Sequence, residues 1–149
     1  VIVVRTMSKS FSLAGMRIGF ACASPELITG MWKVKEHSNL NRLSLVAAEA
    51  ALENVASMRI RAEQICRTRT RLTEDLRTLG FFVWDSAANF VLARSTHTPA
   101  EDLYNMLRER KVLVRYFNQP RLDDCLRISI GTDAEIDTFT RILREILSA

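Results

Sequence analysis

Cysteine is scarce in this chain and histidine scarcer. The three cysteines, Cys22, Cys66 and Cys125, form no C-x-x-C pair, and their odd number does not suggest a disulfide framework. A reducing cytosol is the simpler setting, so a cytoplasmic location is expected. His37 and His97 stand alone, without metal-ligand spacing, and read as surface or loop residues with no metal to hold. No apolar run approaches the roughly 18–20 residues of a membrane span. Nor does the first stretch show the charged-then-apolar pattern of a signal peptide. No block of like charge runs to five or six residues, which argues against a nucleic-acid tail. Internal repeats and low-complexity segments are also missing.

What is present points to a folded chain. Its 149 residues suit one domain or a little more, and 48% apolar content allows a substantial core. Net charge is +4, and seventeen of the 21 basic residues are Arg. The chain opens without Met, inside the apolar run Val1–Val4, which reads as a segment of a longer polypeptide.

Val1–Val4 and Arg17–Ala23 read as two buried strands, with a loop between them that holds one helical turn at most. Ser24-Pro25-Glu26 supplies a helix start: an N-cap, Pro at the first position and an acid in the first turn. Helices are expected over 25–37, 41–53 and 57–79. In the third, Met58, Ala62, Ile65, Leu72, Leu76 and Leu79 form an apolar stripe, opposite a solvated face of Arg and Glu. Gly80 should end it. Beyond Gly80, residues 81–84, 89–93, 112–115 and 125–130 are short strand candidates. Two capping boxes are expected, Thr98 with Glu101 and Thr132 with Glu135, opening helices to about Arg110 and to the C-terminus. In the last helix Ile136, Phe139, Leu143 and Leu147 form the apolar stripe. The implied organisation is 1–56, part of a larger α/β domain; 57–80, a long connecting helix; and 81–149, a small α+β domain.

The segment from Thr6 to Phe20 carries the most chemistry. Lys9 lies in a hydroxyl-rich turn between the two strand candidates, and Arg17 follows eight residues later with Gly15 and Gly19 on either side. A lysine becomes a nucleophile toward a carbonyl when burial or nearby positive charge lowers its pKa, and strand-end placement should partly bury this one. The hydroxyls of Thr6 and Ser8 and the planar fork of Arg17 suit a phosphate dianion. Glycine permits close backbone approach or unusual dihedrals. The string T-x-S-K-x-F-x-x-A-G-x-R-x-G resembles the Schiff-base lysine segment of fold type I, pyridoxal phosphate-dependent aminotransferases. Within them it is most similar to the histidinol-phosphate branch.

Three residues nearer the C-terminus complete the candidate site. Arg127 is a charge inside the strand-like Cys125–Ile130, so it should face a partner or an open cleft; an ion pair with Asp123 or Asp124 is the plainer alternative. The string L-R-I-S-I-G-T resembles the family segment whose arginine binds the substrate α-carboxylate. Arg115 ends Val112–Val114, where a solvated arginine is common, but the stretch from Val114 to Thr132 resembles the branch in which that arginine helps bind a substrate phosphate. Asn89, in the family-like A-N-F, either contacts substrate or closes a turn. Asn39 matches the asparagine of the family's Pro-Tyr-Asn, with Ser38 where the tyrosine would stand.

The resemblance covers almost the whole chain. It implies the C-terminal half of a pyridoxal phosphate-dependent aminotransferase, an α/β fold type I transferase and a homodimer when full length. Lys9 would be catalytic, with Thr6, Ser8 and Arg17 holding the cofactor phosphate. Arg127, Arg115 and Asn89 would bind an amino-acid or amino-alcohol phosphate and 2-oxoglutarate or glutamate. Related activities remain as alternatives: aromatic transamination, phosphothreonine decarboxylation, or a non-catalytic module of the same descent. The piece alone is expected to be inactive, because the remaining cofactor contacts lie in the other half of such enzymes.

Overall fold

A computed structural model describes residues 1–148 and divides the chain into two compact units, Val1–Ala62 and the residues from Glu63 onward. No helix of the described residues is long and apolar enough to cross a membrane.

In the first unit, strands β1 (Val3–Thr6) and β2 (Gly19–Cys22) pair antiparallel, with Val3 opposite Cys22 and Thr6 opposite Gly19. A short 3-10 turn, Ala14–Met16, lies in the loop between them. Helix α1 (Pro25–Val34) starts as the sequence predicts, with Ser24 as N-cap and Pro25 at its first position. Helix α2 (Arg42–Glu53) is capped by Asn41, whose side chain accepts the Ser44 N–H. The core is small: Met7, Ile18 and Ala48, flanked by Phe11, Leu13 and Ala51. The expectation that both strands are buried is corrected here. Val4 is 71% exposed and all four β1 residues face solvent, because nothing in this unit covers either side of the two-stranded ribbon.

Helix α3 (Val55–Thr78) crosses the boundary between the units. It ends in a Schellman motif. Gly80, at φ +85°, donates its N–H to the Arg77 carbonyl, and Phe81 donates to that of Leu76. A β-carbon is costly at that φ, which is why the sequence has glycine there.

The second unit is an antiparallel sheet in the order β3 (Phe82–Val83), β4 (Phe90–Arg94), β6 (Cys125–Ser129), β5 (Arg115–Tyr116). Helices α4 (Ala100–Glu109) and α5 (Asp133–Leu147) and the later turns of α3 cover one face of it. Alternation places Val83, Val91, Ala93, Leu126 and Ile128 on that face, all buried against Leu72, Leu76, Leu103, Leu107, Phe139 and Leu143. Each such large side chain stabilises the fold by about 1.5–3 kcal/mol. Thr132 and Glu135 form the predicted capping box on α5. The one predicted at Thr98 does not form. Pro99 takes the N-cap position, leaving Thr98 one residue too early to reach the free amides.

The strand expected at 112–115 is shorter and later, because only Arg115 and Tyr116 reach β6. The opposite sheet face carries Phe90, Leu92 and Arg94 on β4, Arg127 on β6 and Arg115 on β5, in register.

Candidate active site

The first cluster lies in the loop from Met7 to Ile18. Thr6 ends β1, and Thr6 Oγ1 donates to Ser8 Oγ at 2.9 Å while accepting the Ser8 N–H at 3.1 Å. Met7 is buried and tied at both backbone groups: its N–H reaches the Ile18 carbonyl and its carbonyl accepts the Leu13 N–H. The chain between is thus folded back on itself, and Lys9 stands at its outer turn, where its carbonyl accepts the Ser12 N–H at 3.0 Å. The Lys9 side chain is exposed rather than partly buried, since this unit places nothing over the turn.

Arg17 sits in the left-handed region at φ 51° and ψ 43° and donates from Nη1 to the Ala14 carbonyl at 3.0 Å. Gly19 has a steric reason. A β-carbon there would lie 2.5 Å from the Arg5 carbonyl oxygen across the β1–β2 pair. Gly15 has none within this chain, where a β-carbon would meet open space. The unusual dihedrals attributed to the glycines fall instead on Ser12 and Arg17.

This donor set fits pyridoxal phosphate. Two hydroxyls, an exposed guanidinium and an amine gather on one short loop, with no carboxylate ion-paired to Lys9 or Arg17 among the described residues. A phosphate dianion is best held by such neutral and cationic donors.

The second cluster lies on the open face of the four-stranded sheet. Arg115 and Arg127 are direct partners across β5 and β6. The Phe117 ring lies 5.2 Å from the Arg115 guanidinium carbon and 5.5 Å from that of Arg127, which also lies 5.3 Å from the Phe90 ring. Neither arginine is ion-paired among the described residues; Asp124, the alternative considered from sequence, pairs with Arg94 at 3.8 Å. Like charges directly opposed in a sheet repel, and stacking on an aromatic face offsets part of that cost. The pair concentrates positive charge on this face of the sheet. Asn89 lies just before β4, and its carbonyl accepts the Ile130 N–H at 2.9 Å, so its backbone extends the β4–β6 ladder.

Sequence reasoning missed Phe117 and Ser44. Phe117 was legible from alternation, since residues 115 and 117 point the same way from an extended segment. Ser44, a hydroxyl in the apolar run Leu43–Ala48, is 1% exposed and donates to the Met16 carbonyl at 2.7 Å.

The profile of the family "Aminotransferase class I and II" matches residues 1–143, and the chain belongs to that pyridoxal phosphate-dependent family. The histidinol-phosphate aminotransferase of Rippkaea orientalis is 52% identical over 146 residues, covering 98% of this chain and 42% of that protein. A putative aminotransferase from Burkholderia pseudomallei superposes with a TM-score of 0.88 at 36% identity, covering 98% of this chain and 45% of that one. Histidinol-phosphate aminotransferase from Sinorhizobium meliloti, solved in complex with pyridoxal 5'-phosphate, gives 0.85 at 29% identity, with coverages of 99% and 41%. The chain therefore spans about two-fifths of the length of the relatives it matches.

Proposed function

We propose that this chain is the C-terminal part of a histidinol-phosphate aminotransferase that exchanges an amino group between histidinol phosphate and 2-oxoglutarate. The observation that carries the reading is the opposed pair Arg115 and Arg127, held on one aromatic ring without a counter-ion among the described residues. Two guanidiniums side by side suit substrates that bear a phosphate or a second carboxylate.

Pyridoxal phosphate, when bound, supplies an aldehyde for amines and a ring that stores the electrons released at the substrate carbon. Thr6, Ser8 and Arg17 bind its phosphate and fix its place beside Lys9. Lys9 Nζ is the reactive amine and moves the proton on and off the substrate Cα. Arg127 binds the carboxylate of glutamate or 2-oxoglutarate, and Arg115 the phosphate of histidinol phosphate, so that one site accepts both partners in turn. Asn89 lines the substrate side.

In this reading residues 1–56 belong to the large cofactor-binding domain, 57–80 form a connecting helix, and 81–149 form the small domain. The whole enzyme is a cytoplasmic homodimer. The chain alone does not transaminate. The apolar side chains left exposed on the first unit, such as Val4, Trp32 and Leu43, are surfaces that the rest of the enzyme covers. Transamination assays on the complete enzyme with histidinol phosphate, phenylalanine and phosphothreonine test the reading. Preference for histidinol phosphate supports it, and preference for either of the others overturns it.

A further inference from the structure

We propose that Ser44 is a positioning residue for Arg17, and that it acts by fixing the peptide group through which Arg17 enters its left-handed conformation. The proposal rests on the reading that Arg17 holds the cofactor phosphate. A non-glycine residue in the left-handed region costs about 1–2 kcal/mol, so the surrounding structure must hold it there. Arg17 is bracketed by two fixed carbonyls. On one side, the Met16 carbonyl accepts from Ser44 Oγ at 2.7 Å; on the other, the Ile18 carbonyl accepts from the Met7 N–H at 3.2 Å.

Ser44 is itself well anchored. Its N–H is taken by the Asn41 cap at 2.9 Å, which leaves the hydroxyl as the side chain's single reach outward from the first turn of α2. At 1% exposure it is shut away from water. Met7, Ile18 and Ala48 supply apolar packing around the loop, but packing is non-directional, and the Ser44 bond is what orients the Met16–Arg17 peptide. Rotation of that peptide swings the whole Arg17 side chain, because it moves the bonds from which the side chain projects.

The test is affinity measured separately for pyridoxal 5'-phosphate and for pyridoxal, which lacks the phosphate. The complete enzyme is compared with Arg17→Gln, Ser44→Ala and Ser44→Cys, and thermal unfolding confirms that each variant is folded. Ser44→Ala should weaken pyridoxal phosphate by roughly three- to tenfold, the range of one hydrogen bond, and leave pyridoxal nearly unchanged. Ser44→Cys keeps the shape but is a weak donor, and should behave like Ser44→Ala. If Arg17→Gln shows the phosphate-specific loss but Ser44→Ala does not, or Ser44→Cys binds like the parent, the positioning role is wrong. If Arg17→Gln itself shows no phosphate-specific loss, the assignment of Arg17 fails and the inference falls with it.

Discussion

Arg115 and Arg127 face each other across the β5–β6 ladder and share one aromatic ring, Phe117. Two cations held in this way, neither ion-paired among the described residues, repel each other, and an anion bound between them would relieve that repulsion. Inorganic phosphate should therefore raise the thermal midpoint of this chain, and raise it less in Arg115→Leu and Arg127→Leu. An equal rise in all three would mean that the anion binds elsewhere. Phe117→Leu removes the stack under both guanidiniums and should weaken phosphate binding while both charges remain.

Gly19 is predicted to be intolerant of any side chain. Gly19→Ala places a carbon against the Arg5 carbonyl and must separate β1 from β2 where the lysine loop is closed. The variant should lose cofactor binding in the complete enzyme more completely than Gly15→Ala, whose new carbon meets open space. Equal binding by the two variants would contradict the geometry.

The acidic limb of stability has identified sources. Thr68 Oγ1 donates to Asp133 at 2.8 Å and Arg71 lies beside it, so this carboxyl ionises below the usual carboxylate range. Glu135 is held low by the Thr132 N–H and hydroxyl of the capping box. For a depressed pKa the stabilisation is present above the unfolded value, about 4, and disappears as pH falls through the lower folded value. The thermal midpoint of the parent should exceed that of Asp133→Asn near neutrality, and the gap should close toward pH 3. A gap that does not change with pH would contradict this assignment.

Thiol reactivity should separate the three cysteines. Cys22 and Cys66 are exposed, whereas Cys125 is buried. Burial, aided by its hydrogen bond to Asp124, pushes the Cys125 thiol up to about 12. Iodoacetamide at pH 8 should label the first two in the native protein and Cys125 only after unfolding. Labelling of native Cys125 at a comparable rate would show that β6 is not packed as described.

Much of this was legible in the sequence because local signals were strong. Ser24-Pro25 starts α1, Thr132 with Glu135 starts α5, and Gly80 closes α3, each through contacts spanning a few residues. Thr6 at the end of β1 and Ser8, Lys9 and Arg17 in the loop after it lie close along the chain, so the segment that carries them was legible without tertiary information. The failures concern tertiary context. Val1–Val4 has the composition of a buried strand, yet composition cannot say what lies against it, and these residues stay exposed, Val4 at 71%. Thr98 carries the capping-box pattern, but helix α4 starts one residue late for it. The Ser44–Met16 bond joins residues 28 positions apart, beyond any local pattern. The facing of Arg115 and Arg127 depends on strand register, which spacing along the chain does not reveal.

The central claim is that Lys9 is the amine that meets the cofactor. Within this chain the competing amines are few, since Lys33, Lys35 and Lys111 are the other lysines. The complete enzyme is incubated with pyridoxal 5'-phosphate, reduced with borohydride, digested and analysed by mass spectrometry. The account predicts a stoichiometric phosphopyridoxyl label on the peptide containing Lys9. A label distributed over the other lysines, or undiminished labelling in Lys9→Ala, would contradict it.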